Sequence, residues 1–307
     1  MAIVGDISRF QARVDERQGY REEALFRPCA GEQLMTFVYQ PLRVPHSTAT
    51  RLGIVFCHAY GVEQLTTYRL EVNWARSLAS YFPVLRLHTR GSGQSSGDPA
   101  CVTLATQLAD TLDSARWFME HVGVRELAFI GIRLGGTVAL LAAQQMDEVR
   151  GLMMLDPITS PAQYLTQLLR NVLMAEMTQQ HEQMATMESL IAAINEKGLV
   201  DVLGNPIHRP MYEEAQQLDV LAQIRRYHGP ALLIQTGRTR ELRPDMQALS
   251  AALTAAGANC DVLIENAVLP WLSPRLVMDN ARAVFRLLDE CVKWCCHKVA
   301  GMTMPIP

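Results

Sequence analysis

Leu127-Ala128-Phe129-Ile130-Gly131-Ile132-Arg133-Leu134-Gly135-Gly136-Thr137-Val138-Ala139-Leu140-Leu141 joins a run of apolar β-formers to an Ala- and Leu-rich segment through a glycine-rich turn. A short apolar run stopped by glycine and followed by helix-formers predicts strand, sharp elbow, helix. In such an elbow a Gly-x-Ser-x-Gly motif presents a nucleophilic serine. Gly131 and Gly135 keep the spacing here, but the residue between them is Arg133. A guanidinium stays protonated and has no lone pair with which to attack an acyl carbon.

Working outward, strand and helix alternate. Gly53 to Cys57 reads as a buried strand ending in His58-Ala59-Tyr60-Gly61, and Leu70 to Tyr81 has helical spacing. Pro83 to His88 is the next strand, opening into the Gly/Ser-rich loop Thr89-Arg90-Gly91-Ser92-Gly93-Gln94-Ser95-Ser96-Gly97. An amphipathic helix over Thr103 to His121 precedes the elbow, and Arg150-Gly151-Leu152-Met153-Met154-Leu155-Asp156-Pro157 after it is one more strand, stopped by proline. Alternation of this kind predicts a mostly parallel central sheet with helices on both faces, an α/β fold whose ligands sit at the carboxyl ends of the strands. His58, Arg90, Arg133 and Asp156 all fall at such ends.

Upstream, Ala24 to Cys29 and Gln33 to Tyr39 form a hairpin around Ala30-Gly31-Glu32, preceded by a polar, helix-tolerant extension over residues 1–22 that packs on the sheet edge. Downstream, alternation gives way over residues 160–228 to helical patterns rich in Leu, Met and Gln, broken near Lys197 to Pro210. This segment reads as an inserted helical cap with a short extended piece; its methionines are read chiefly as core filling. The core resumes with a strand at Ala231 to Thr236, a helix at Pro244 to Ala256, a strand at Cys260 to Glu265 and a closing helix from Pro274 to His297. The expected organisation is a core of residues 23–159 and 229–300 carrying the cap as an insertion.

The composition, 49% hydrophobic and 19% charged over 307 residues, is that of an ordinary globular protein, and a net charge of -3 gives no general pull towards nucleic acid or anionic membrane. No apolar run reaches the roughly 18 residues of a membrane span, and charges at Arg9, Arg13 and Asp15 interrupt any secretory core. The expectation is a cytoplasmic protein. Seven cysteines without a regular framework fit reduced thiols. Cys291, Cys295, Cys296 and His297 share one helix and lack a second ligand cluster, so no metal site is assigned; no cofactor is called for.

These residues resemble the α/β-hydrolase superfamily over about residues 24–297. His58-Ala59-Tyr60-Gly61 is similar to the loop that supplies an oxyanion-hole amide, and Thr89 to Ser95 to the Arg-Gly-x-Gly-x-Ser loop of the serine-aminopeptidase-like branch. Gly131-Ile132-Arg133-Leu134-Gly135, Asp156-Pro157 and Val200-Asp201-Val202-Leu203-Gly204 resemble the exosortase-A-system-associated hydrolase 2 group, which likewise places arginine at the elbow. That resemblance implies a bacterial setting among exopolysaccharide and protein-sorting genes. The superfamily pattern also shows what is missing. At the acid position stands Arg240, with Glu241 beside it, and the last loop, Asn266 to Trp271, has no histidine.

Two readings of Arg133 follow. An internal ion pair with Asp156, Glu63 or Glu241 offsets the elbow cation, or Arg133 joins Arg90, Arg238, Arg240 and the amides of Leu134 and the Tyr60 region in a pocket for a carboxylate or phosphate. Cys57 or Ser92 with His58 is the alternative nucleophile and base set, with Asp156 or Glu241 as acid, while Trp271 packs under the cap or lines the old active site. Three functions remain open. The preferred one is a pseudoenzyme with a degenerate triad that binds an acidic or acyl-bearing small molecule or a biosynthetic partner. The others are a rewired esterase, thioesterase or acyl transferase around His58, and a structural or interaction subunit; a protein partner or a second copy of the chain is the partner expected.

Overall fold

Runs buried on both faces become the inner strands of a single sheet, because a parallel sheet covered by helices leaves no face for polar side chains. The computed structural model describes residues 9–43, 52–178, 185–266 and 281–302. In chain order the strands are β1 (Arg9–Asp15), β2 (Tyr20–Cys29), β3 (Glu32–Pro41), β4 (Leu52–Cys57), β5 (Val84–Leu87), β6 (Glu126–Ile132), β7 (Val149–Leu155), β8 (Leu199–Val202), β9 (Asn205–His208), β10 (Pro230–Thr236) and β11 (Asn259–Glu265). Among the described residues the sheet runs β1-β2-β3-β5-β4-β6-β7-β10-β11. Pairing is antiparallel from β1 to β5 and parallel from β5 onward.

The helices are α1 (Val62–Ala79), α2 (Leu104–Val122), α3 (Leu134–Ala143), α4 (Pro161–Thr178), α5 (Met187–Lys197), α6 (Arg209–Gln217), α7 (Pro244–Ala255) and α8 (Ala281–Trp294). Side chains alternate between the two faces of the sheet. Val55, Cys57, Leu127 and Phe129 join one apolar cluster, with Phe118 of α2 and Val138 of α3. Ile54, Phe56, Ala128 and Ile130 join the other, with Trp74 of α1 and Leu287 and Cys291 of α8. The first cluster continues into the cap through Leu165, Ile194 and Met211, so the cap is packed onto the core.

Two elements differ from expectation. The N-terminal extension supplies an antiparallel edge strand, β1, where helix was tolerated. Helix α1 starts eight residues before Leu70, at Val62, because Gly61 caps it at φ 59 and its buried face carries Glu63, Thr67 and Glu71, polar residues that hide the period. The extended piece of the cap is the β8–β9 hairpin. Of the cap methionines, Met211 is buried while Met174 is 62% exposed. All seven cysteines are free thiols, and Cys291, Cys295 and Cys296 are buried. The expected start of the closing helix at Pro274, and Trp271, lie outside the described residues. No described helix is long and apolar enough to cross a membrane.

Candidate active site: an elbow occupied by an ion pair

Arg133 sits between β6 and α3 at φ 56, ψ -121, a strained conformation for a residue with a Cβ. Its carbonyl accepts the Gly136 amide at 2.9 Å and its amide donates to the Leu155 carbonyl at 2.9 Å. The helix crosses β4 so closely that a Cβ on Gly135 would be driven into the carbonyls of Cys57 and His58. The backbone is therefore a complete nucleophile elbow. Only the side chain it presents is different.

That side chain is held from three directions. Nε donates to both Glu63 oxygens at 3.3 and 3.2 Å, Nη2 to Oε1 at 3.1 Å, and Nη1 to the Asp156 carbonyl at 3.1 Å. The Tyr164 hydroxyl donates to Glu63 Oε2 at 3.0 Å, and its ring lies 5.8 Å from the guanidinium carbon. Burial works against the charge on Arg133, but Glu63 outweighs it and holds the arginine pKa above its ordinary value. Among the three carboxylates weighed for this role, Glu63 is the one that neutralises the elbow.

Asp156 is engaged elsewhere. Its backbone is also left-handed, at φ 41, and its carboxylate accepts the Thr236 amide at 3.1 Å, the Thr236 hydroxyl, and Arg243 Nη1 at 2.8 Å. Burial is the largest influence on its pKa and carries it above the usual range, against the pull of Thr236 and Arg243. Glu241, Arg238 and Arg240 are exposed. The arginine of this loop that reaches the elbow acid is Arg243, and neither Arg243 nor Tyr164 belongs to a motif. Only the strand-end position of Asp156 could have pointed to such partners.

His58 is buried. Its Nδ1 donates to the Ala59 carbonyl at 2.7 Å, which leaves Nε2 to accept from the Thr89 amide at 3.3 Å, with the Thr89 hydroxyl also 3.3 Å away. Among the described residues no carboxylate is a hydrogen-bond partner of His58, and burial lowers its pKa. Ser92 donates to the Thr89 carbonyl at 2.8 Å, with its oxygen 3.1 Å from the Thr89 hydroxyl. Cys57 is buried and burial pushes its thiol pKa far up, so it is not a thiolate. Arg90 is committed to Asp110 through its backbone amide at 2.8 Å and its guanidinium at 2.5 Å.

One cavity adjoins Arg133 and a second lies beside the His58 loop and the start of α1. A cleft of about 760 Å³ under the cap is lined by Arg133, Tyr164, Gln163, Gln167, Arg170 and Arg243, among others. Gln163, Gln167 and Arg170 form one exposed stripe of α4, at the spacing of a helical face. A smaller pocket of about 210 Å³ is lined by His58, Tyr60, Gly61, Ser92, Val102 and Pro206, among others. Leu134 is fully buried beneath the elbow. Among the described residues no group of three metal-ligating side chains occurs.

A model of the alpha/beta hydrolase fold matches residues 54–180. Comparison with curated proteins finds no match. Among solved structures, the chain resembles Est1E from Butyrivibrio proteoclasticus at TM-score 0.56 and 18% identity, over 87% of this chain and 98% of that one. An esterase of Pyrococcus furiosus superposes at TM-score 0.63 and 12% identity, over 92% and 94% of the two chains. Brefeldin A esterase, a bacterial homologue of human hormone sensitive lipase, does so at 0.62 and 15%, over 92% and 78%. The chain has the α/β-hydrolase fold, and its structural neighbours include esterases.

Proposed function

We propose that this is an α/β-hydrolase-fold protein without serine-hydrolase chemistry, which binds an acidic or acyl-bearing small molecule in the cleft beside the elbow. The observation that carries the reading is the Arg133–Glu63 pair in the nucleophile's place. An attacking hydroxyl needs a base within about 3 Å, and His58 has its free nitrogen turned to Thr89. The polar lining of the larger cleft, where Arg133, Arg170 and Arg243 stand beside amide side chains and the one carboxylate of Asp245, which Arg243 holds, supports a ligand bearing negative charge. Similarity of the elbow and cap stretches to the exosortase-A-system-associated group supports a cytoplasmic role beside exopolysaccharide biosynthesis, with a biosynthetic protein as the partner.

A second reading, a rewired acyl hydrolase or transferase, is favoured by one contact chain: His58 Nε2, the Thr89 hydroxyl and Ser92, all lining the smaller pocket. Fluorophosphonate labelling and turnover of p-nitrophenyl butyrate separate the two. The purified protein is expected to be unlabelled and inactive. Labelling abolished by Ser92→Ala, or turnover abolished by His58→Ala, overturns the first reading in favour of the second.

A further inference from the structure

Glu63 is tied to the large cleft through its partners and to the small pocket through its chain neighbours. Arg133 and Tyr164, which Glu63 holds, line the large cleft, while Gly61 and Gln64, on either side of Glu63 in the chain, line the small pocket. The two chambers differ in character. The large one is faced by amide, hydroxyl and guanidinium groups with the carboxylate of Asp245, the small one by Tyr60, Pro99, Val102 and Pro206 beside several polar groups. The group that Arg133 offers the large cleft is held in an ion pair with Glu63, and ion pairs exchange partners when a competing anion offers the same geometry.

We infer that Glu63 occupies the seat of the ligand's acidic group. The ligand is an amphiphilic carboxylate or phosphate monoester that displaces Glu63 from Arg133 and sends its apolar part into the small pocket. The inference rests on the binding function proposed above and adds the ligand's class and its mode of entry. Three features suit the exchange. Arg133 keeps 17% of its side chain exposed on the cleft side, so an anion can reach it before Glu63 has left. Glu63 lies in the first turn of α1, two residues after Gly61, whose φ of 59 and ψ of -134 give the turn a hinge that a residue with a Cβ would resist. Tyr164, released from Glu63, keeps a hydroxyl able to donate to the incoming anion.

In this arrangement Glu63 is an internal competitor, and its removal strengthens binding. Glu63→Gln preserves size and an acceptor for Tyr164 but cannot compete as an anion. Acetate, hexanoate and methyl phosphate serve as calorimetric probes at low ionic strength. Expected is tenfold or more tighter binding to Glu63→Gln than to wild type, on the order of a lost charge-assisted contact. Hexanoate is expected to exceed acetate by about fourfold for each methylene that enters the small pocket. Arg133→Gln abolishes the gain.

A folded Glu63→Gln protein that binds no more tightly than wild type overturns the displacement, and the binding function stands if wild type itself takes the probes. Equal affinity for acetate and hexanoate overturns the amphiphile. No binding of any probe to either protein overturns the binding function and this inference together. Should Glu63→Gln fail to fold, Glu63→Asp withdraws the carboxylate from Arg133 by one methylene while leaving the Tyr164 hydroxyl in place, and is expected to tighten binding by about two- to fivefold; an unchanged affinity overturns the inference by that route.

Discussion

Helix α1 carries two carboxylates eight residues apart, and each holds an arginine from the sheet: Glu71 holds Arg86 of β5, and Glu63 holds Arg133 at the elbow. The first pair is entombed. Its side chains are 1% and 3% exposed, 2.7 Å apart, with Phe37 and Tyr68 rings on the guanidinium at 5.1 and 4.9 Å. The second faces a cleft, at 17% and 7% exposed, on a strained backbone. The same chemistry serves two ends. Where packing encloses the pair it fixes α1 on the sheet; where a cavity adjoins it the pair can be exchanged.

Glu71→Gln breaks the comparison most severely. It leaves the Arg86 charge buried with one nitrogen, Nη2, that already has no hydrogen-bond partner among the described residues. Removing one member of a buried pair costs about 3–5 kcal/mol. Denaturant unfolding is expected to show a loss of that order while the affinity of any folded protein for hexanoate is unchanged. A smaller loss than that of Glu63→Gln would mean that the roles of the two pairs are reversed.

Acid sharpens the contrast, because the histidines lie on the Arg86 side. His58 and His88 meet ring edge to ring face at 6.2 Å, and both are held neutral, mainly by burial, with His88 brought down to about 3. Arg86 lowers both, and Glu71 raises His58 in part. With folded values depressed below the unfolded value of about 6.5, the unfolded chain takes up protons that the native one refuses. Stability is therefore full above about pH 6.5 and is lost as pH falls, by up to about 2.7 kcal/mol per pH unit for two protons. Asp156 acts in the opposite sense: its raised pKa lets the native state protonate first, which offsets part of the loss at lower pH. Unfolding curves taken from pH 7.5 to 5 measure the slope, and His88→Gln should halve it. Half that slope in the wild type would mean that one of the histidines is charged in the native state, and a flat profile that both are.

How much of this was legible in the sequence follows from where the information lies. The elbow, the strand order on either side of it and the cap insertion are written in local pattern: apolar runs, glycine punctuation and a change of period at Ser160. Glu63 was nameable as a partner because it follows the His58 loop by five residues, and strand-end loops converge. Arg243 and Tyr164 were not. Each meets its partner across a fold-dependent distance, 87 residues for Arg243 and Asp156 and 101 for Tyr164 and Glu63, with no spacing rule to connect them. Arg90 read as a pocket cation because its strand end faces the site, yet Asp110, on the buried face of α2, captures it. A buried acid on an amphipathic helix is the signal that was available and went unread.

The smallest expected effect is the most telling about the elbow. Arg133→Ser rewrites Gly131 to Gly135 as the familiar hydrolase motif on a backbone already at φ 56. It leaves Glu63, 7% exposed, with Tyr164 as its remaining hydrogen-bond donor among those that hold it in the described structure. The cost is about 1–2 kcal/mol, less than for Glu71→Gln because the cleft admits water to the abandoned carboxylate. The new hydroxyl gains no base: His58 keeps its free nitrogen on Thr89, and Asp156 stays with Thr236 and Arg243. Members of a triad act as a unit, so a serine alone returns little of the lost rate. Hydrolysis of p-nitrophenyl butyrate should therefore remain at background in a protein that melts only slightly earlier than wild type. Turnover that appears with the serine and disappears on adding His58→Ala would mean that the oxyanion-side histidine had been a base waiting for its nucleophile.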